Sequence, residues 1–343
     1  MVSTINDGPW LEFITRMMGE AAAAAPPTFD LSHFHCLLDE QPTHLVPRYW
    51  ESSKSELACA LLWNPSACLC WDGELPPQLR GREDEVTKFD LQGGVLWVQD
   101  PANESWQPFW LGHAFSGVIA EIEPGRPAPD DLSHHLRSLL FAANILVRPT
   151  YVARRRKRWS EVVQTARTCF SRGFAPLAGL IHPYHIAALR RYVRHLIRNR
   201  HLPLGDGQSP LRYVEHNDPV LRFFHHQLTS ALSDVSGEML KPSYAYMGSY
   251  LKGAELPIHT DRRQCEFTIS LCLDFAPEPT AETPWPLHLD TPDARVTVHQ
   301  RIGDALFFRG RDIPHYRKRL ERGTTSTSVF FHYVGRGFQG RLD

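Results

Sequence analysis

From Lys241 onward the chain stops looking helical. Six short segments, PSYAYMGSYL, EFTISLCLDF, WPLHLD, ARVTVHQ, DALFFRG and STSVFFHYV, are rich in β-branched and aromatic residues and separated by Gly, Pro and Asp. Runs of this length and composition, bounded by turn residues, predict strands. Two helical patterns come just before them. In HPYHIAALRRYVRHLIRNR, Ile186, Leu189, Val193, Leu196 and Ile197 form one apolar stripe with arginines opposite. DPVLRFFHHQLTSALSDV opens with Asp218 as N-cap and Pro219 at the first helical position. Its His225 and His226 read as surface or packing histidines. Two helices followed by six or more short strands predict a β-barrel or jelly roll with a helical buttress.

Residues 1–150 have a different, mixed α/β texture, so the expected class is α+β. AAAAAPPTF (21–29) reads as a connector or a short helix stopped by Pro26 and Pro27. GGVLWVQD predicts a strand, followed by the Trp-rich ESWQPFWLG. In DDLSHHLRSLLFAANILV, Leu132, Leu136, Leu139 and Leu140 recur at helical spacing, with Asp130 or Asp131 as N-cap. Strand, turn and helix together suggest a small winged-helix-like unit. The run Arg154-Arg-Arg-Lys-Arg158, after Pro149, reads as a solvated linker or helix start in preference to a nucleic-acid patch. The expected organisation is an accessory domain over 1–150, a basic linker over 151–174 and a second domain over 175–343.

Composition narrows the classes. A chain of 343 residues is long enough for two domains. A net charge of -1 supplies no overall attraction to nucleic acid or membrane. No apolar run reaches the ~20 residues of a membrane span, and MVSTINDGPWLEF lacks the pattern of a signal peptide. Seven scattered cysteines suit a reducing cytoplasm. Cys68 and Cys70, with His33, His35 and Cys36 upstream, lack paired zinc-site spacing and read as buried thiols and surface histidines.

The segment ELPIHTDRRQ carries His259 and Asp261 two apart, ahead of FTISLCLDF. In extended chain, such side chains share a face. They could hold a metal, form a hydrogen-bonded pair or lie together by chance. A third ligand candidate is His315, just past Pro314 and after the strand GDALFF. Two histidines and one carboxylate are the ligand set of the non-haem Fe(II) facial triad.

The order HTD, FTISLCLDF, GDALFF, PHYRKRLERGTTSTSVFF resembles the Fe(II)/2-oxoglutarate-dependent dioxygenases, nearest the prolyl-4-hydroxylase-like group. The resemblance covers about 165 residues, roughly 175–340, and leaves out 1–150. It implies a double-stranded β-helix, with His259, Asp261 and His315 as iron ligands and 2-oxoglutarate and O₂ as cosubstrates. It also implies that Tyr250 hydrogen-bonds 2-oxoglutarate. Where the family carries a basic residue beyond the distal histidine, this chain has Thr324 and Thr325. A buried carboxylate still needs a cation or several donors. Arg317, two past His315, is the first replacement, then Arg262 or Arg263, with Thr324 and Ser326 as hydroxyl donors.

The implied reaction is hydroxylation of an unactivated C–H bond, favoured over halogenation by the Asp261 carboxylate. The expected substrate is an amino acid or peptide-borne residue, as a small molecule or a peptide. Residues 1–150 could recruit it, form a homodimer or act as a lid. Alternatives are a non-catalytic 2-oxoglutarate or metal sensor, and a metal-dependent hydrolase or cupin-type isomerase.

Overall fold

The structure, a computed structural model, describes residues 29–38, 57, 59–112, 115–119 and 121–343. The 21–28 part of the expected connector and the N-terminal MVSTINDGPWLEF lie outside them. The chain separates into two compact units, one of residues 1–82 and 89–155, the other of residues 83–88 and 156–343.

The first unit holds a two-stranded pairing of β1 (Leu62–Trp63) with β5 (Leu146–Val147) and an antiparallel meander. The meander strands are β2 (Cys68–Trp71), β3 (Gly94–Gln99) and β4 (Trp106–Trp110). Trp63, Trp97, Trp110, Phe34, Phe109 and Phe115 are fully buried in this unit. The strand expected in GGVLWVQD is β3. The Trp-rich run contributes β4, all five residues of which are buried. In place of the expected winged-helix-like unit, the described residues form a three-stranded meander that is complete before the helix His134–Ala142 begins. That helix is capped by Ser133, whose side chain accepts from Leu136 N at 3.3 Å, and not by Asp130 or Asp131.

The stretch expected as a linker, 151–174, is mostly helical. One helix runs Pro149–Phe170, and the division between units falls inside it. Proline at the first helical position costs no hydrogen bond, and Arg and Lys are good helix formers. Pro149 thus starts this helix, and the basic run lies largely exposed along it.

The second unit is built on two antiparallel sheets. Its strands are β6 (Phe174–Ala178), β7 (Arg212–His216), β8 (Leu240–Tyr250), β9 (Leu256–His259), β10 (Phe267–Ala276), β11 (Leu287–Asp290), β12 (Arg295–Val298), β13 (Asp304–Phe308), β14 (His315–Arg317) and β15 (Thr325–Gly335). The six-stranded sheet has the order β6-β13-β10-β15-β8-β7, and the four-stranded sheet the order β12-β11-β14-β9. One core cluster joins residues of both sheets, Leu287 and Leu289 with Leu306 and Phe308, and a second packs Trp285, just before β11, on Tyr250 and Phe275. This is the expected two-sheet jelly-roll arrangement.

The helical buttress is present. Helix Pro183–Arg198 packs on β10, and Pro219–Gln227 and Thr229–Ser236 pack on β8. Asp218 caps its helix as expected, accepting from Val220 N at 3.0 Å. The pattern read as one helix after Asp218 is two, separated at Leu228. At the β10 bulge, Asp274 accepts from Arg190 Nε at 3.0 Å and Arg194 Nε at 2.5 Å, which ties the first helix to the sheet. Residues 83–88 join this unit through ion pairs: Lys88 with Asp218 at 2.9 Å, Arg222 with Asp84 at 2.8 Å, and His226 with Glu85.

Candidate metal centre

His259 ends β9, and His315 begins β14. The two strands pair antiparallel with these residues directly opposite, their ring centroids 4.3 Å apart. Asp261 lies two residues beyond His259, and its backbone N–H donates to Gly310 O at 2.9 Å. Asp261 Oδ1 lies 3.8 Å from His259 Nε2 and 3.7 Å from His315 Nε2. Among the described residues, these three form the only group of His, Cys, Asp or Glu ligand atoms gathered within 4.8 Å.

The surroundings fix how each ligand presents itself. His259 Nδ1 donates to Pro257 O at 2.9 Å, and His315 Nδ1 donates to Ile313 O at 3.0 Å. A carbonyl oxygen only accepts, so both rings carry a proton on Nδ1, and in the neutral ring Nε2 is the bare nitrogen turned to the centre. Burial holds His315 below the ordinary imidazole range, keeping it neutral. Thr268 Oγ1 donates to Asp261 Oδ2 at 2.6 Å. Its one proton is spent there, so the 3.0 Å contact with His332 Nδ1 has the imidazole as donor. Burial lowers His332 to about 4. Each ligand therefore has an outer partner, the arrangement that orients side chains for a metal.

The triad lies in a cleft of about 400 Å³. Arg212, Tyr246, Tyr250, His216 and Phe330 line it as well, with Arg262 at its exposed rim. Of the expected cosubstrate residues, Tyr250 lines the cleft. Arg317 is buried beside it rather than lining it. Its Nη1 donates to Trp285 O at 2.6 Å, its Nη2 to Gln300 Oε1 at 3.2 Å, and its guanidinium stacks 4.8 Å from the Trp285 ring. Among the described residues its Nε has no partner and no carboxylate pairs with it. Burial lowers its proton affinity, with the Tyr250 and Cys272 side chains opposing.

Thr324 is not brought to the cleft. It lies in the turn before β15, where its hydroxyl donates to Glu321 O at 2.8 Å, and it lines a separate cavity of about 270 Å³. Ser326 is buried on β15, directly opposite Tyr250. Arg263 is not among the lining residues.

Sequence reasoning passed over Arg212, Asp206, Thr268, Gly310 and His332. A donor set of two imidazole nitrogens and a carboxylate, gathered within 4.8 Å of one another, fits a divalent first-row metal such as Fe(II).

No protein-family profile matches the chain, and no curated protein does. Solved structures do resemble it. A Pseudomonas putida prolyl-4-hydroxylase is 15% identical over 52% of this chain and 100% of its own, with a TM-score of 0.42. AviO1 from Streptomyces viridochromogenes Tue57 is 20% identical over 52% of this chain and 97% of its own, with a TM-score of 0.43. HygX from Streptomyces hygroscopicus, solved with nickel and 2-oxoglutarate, is 14% identical over 51% of this chain and 88% of its own, with a TM-score of 0.41.

Proposed function

We propose that His259, Asp261 and His315 hold Fe(II), and that the protein is a 2-oxoglutarate-dependent oxygenase hydroxylating an unactivated C–H bond of an amino acid or peptide-borne residue. The observation that carries this is the convergence of two bare Nε2 atoms and one carboxylate oxygen, each fixed by its own outer hydrogen bond. With iron bound, 2-oxoglutarate, O₂ and R–H would give succinate, CO₂ and R–OH.

The chain's own residues supply binding and orientation. His259, Asp261 and His315 would hold the metal, which would supply a site for activating O₂ beside the cleft. Thr268 keeps the Asp261 carboxylate turned inward. Arg317 is a buried cation without a carboxylate partner, a costly arrangement that an arriving anion would relieve. Together with Tyr250 it is the proposed anchor for the distal carboxylate of 2-oxoglutarate.

Anaerobic addition of Fe(II) and 2-oxoglutarate should produce a weak visible absorption band. On admitting air, succinate should form slowly even without the prime substrate. His259→Ala should show neither. Absence of both band and succinate from the parent protein would sink the assignment, and metal-dependent turnover without 2-oxoglutarate would favour a hydrolase or isomerase.

A further inference from the structure

The Tyr250 hydroxyl has one hydrogen-bond partner among the described residues, Arg212 Nη1 at 2.8 Å. A guanidinium only donates, so the phenolic oxygen is the acceptor in that bond. The Tyr250 proton is thereby left without an acceptor in a side chain that lines the cleft.

Arg212 is itself held. Asp206 Oδ2 accepts from Arg212 Nε at 2.9 Å, from Arg212 Nη2 and from the Tyr246 hydroxyl at 2.5 Å. Asp206 Oδ1 accepts from the backbone N–H groups of Gln208 at 3.0 Å and Ser209 at 2.9 Å, which locks the loop carrying it. Gln208 takes a further Arg212 proton at 2.8 Å. Burial opposes the Asp206 charge, but these donors win and bring its carboxyl down to about 2. The guanidinium is therefore neutralised on one side, and its Nη1 is fixed on Tyr250. Gly248, two residues before Tyr250, leaves room for the tyrosine ring: a Cβ there would come within 3.2 Å of it.

We propose that Arg212, locked by Asp206, is a positioning residue that occupies the acceptor side of the Tyr250 hydroxyl and so commits its proton to an anionic ligand oxygen in the cleft. This rests on the function proposed above, under which that oxygen belongs to the distal carboxylate of 2-oxoglutarate. Arg212 acts through Tyr250 and does not itself contact the ligand. Arg317, which lacks a carboxylate, is the charge partner; Arg212, which has one, is the orienting group.

Anaerobic titration of 2-oxoglutarate into the Fe(II)-loaded protein, followed by the absorption band, tests this. Tyr250→Phe and Arg212→Gln should each weaken 2-oxoglutarate about tenfold or more, the range for one hydrogen bond to a charged group. Fe(II) affinity should not change in either. The double variant should be no weaker than Tyr250→Phe alone, because Arg212 acts only through the hydroxyl that Tyr250→Phe removes. Multiplied effects would overturn the relay and make Arg212 a direct contact.

If Arg212→Gln does not fold, Asp206→Asn serves. It should weaken 2-oxoglutarate several-fold in the parent and not at all in the Tyr250→Phe background, and an unchanged parent affinity would overturn the relay. A parent that gives no band overturns the cosubstrate assignment itself, a failure distinct from the relay's.

Discussion

Gly310 and Asp261 share one space: a Cβ built on Gly310 would fall well inside 3.0 Å of the Asp261 carboxylate and of the Thr268 hydroxyl. The Gly310 carbonyl also receives the Asp261 N–H. The glycine after β13 therefore makes room for the carboxylate and holds its backbone. Gly310→Ala should push the carboxylate off its position and lower Fe(II) affinity about 10–100-fold, the usual cost of disturbing a ligand's outer support. Strain should also cost about 1–3 kcal/mol of stability. Metal titration with thermal unfolding checks both, and an unaltered Fe(II) affinity would remove Asp261 from the ligand set.

Arg317 makes an opposite pair of effects testable. Its guanidinium is buried with no carboxylate partner. Arg317→Met keeps the volume and removes the charge. The ligand-free protein should unfold within about 1 kcal/mol of the parent, or be more stable, because a buried uncompensated charge is gone. Affinity for 2-oxoglutarate should fall roughly 30-fold or more, as for loss of one partner of a desolvated pair. Unchanged affinity would move the anchor to Arg262.

Residues 83–88 are part of the second unit although the chain reaches them first. A chain of residues 156–343 alone should fold and bind Fe(II). It should be about 1–3 kcal/mol less stable than the same chain with the 83–88 segment supplied, because Asp218 loses Lys88 and His226 loses Glu85. Circular dichroism and denaturant melts measure this. An insoluble 156–343 chain would show that the first unit is needed for the barrel's core.

Acid sensitivity follows from His332. Burial holds it at about 4 in the folded chain, against an ordinary 6.5. As pH falls below 6.5 the unfolded chain takes up the proton first, so stability present above pH 6.5 is lost progressively down to about pH 4. By pH 5 the loss from this group is on the order of 2 kcal/mol. His225, lowered by burial, acts in the same direction. Urea unfolding of metal-free protein at pH 7.5 and pH 5 should show the difference. His332→Gln, which keeps a donor for Thr268, should flatten it, and an undiminished slope would place the acid sensitivity elsewhere.

Much of the barrel was legible because its long strands are built from β-branched and aromatic residues between clear turn signals, and Asp218-Pro219 is a local helix start. The clustering of His259, Asp261 and His315 could be read from His-x-Asp followed by a distal histidine. What escaped has physical causes. β9 and β14, the strands that bring His259 and His315 together, have four and three residues, too few for a periodic pattern. Arg212 lies on β7, RYVEH, whose mixed composition marks no face. Pro149 looks like a break from outside but is compatible with a helix's first position. Gly310 and Thr268 take their roles only from what lies beside them in space.

The place of β15 in the six-stranded sheet has a consequence during synthesis. β15 lies between β10 and β8, pairing with both along most of its length, yet the ribosome makes it after either. Until β15 emerges, the facing edges of β8 and β10 have no partner strand, and exposed apolar edges invite pairing with other chains. At ordinary elongation rates the interval between β10 and β15 is on the order of seconds. The nascent chain therefore passes through a window in which its largest sheet lacks its middle, and folding yield should depend more on protecting those two edges than on the stability of the finished barrel.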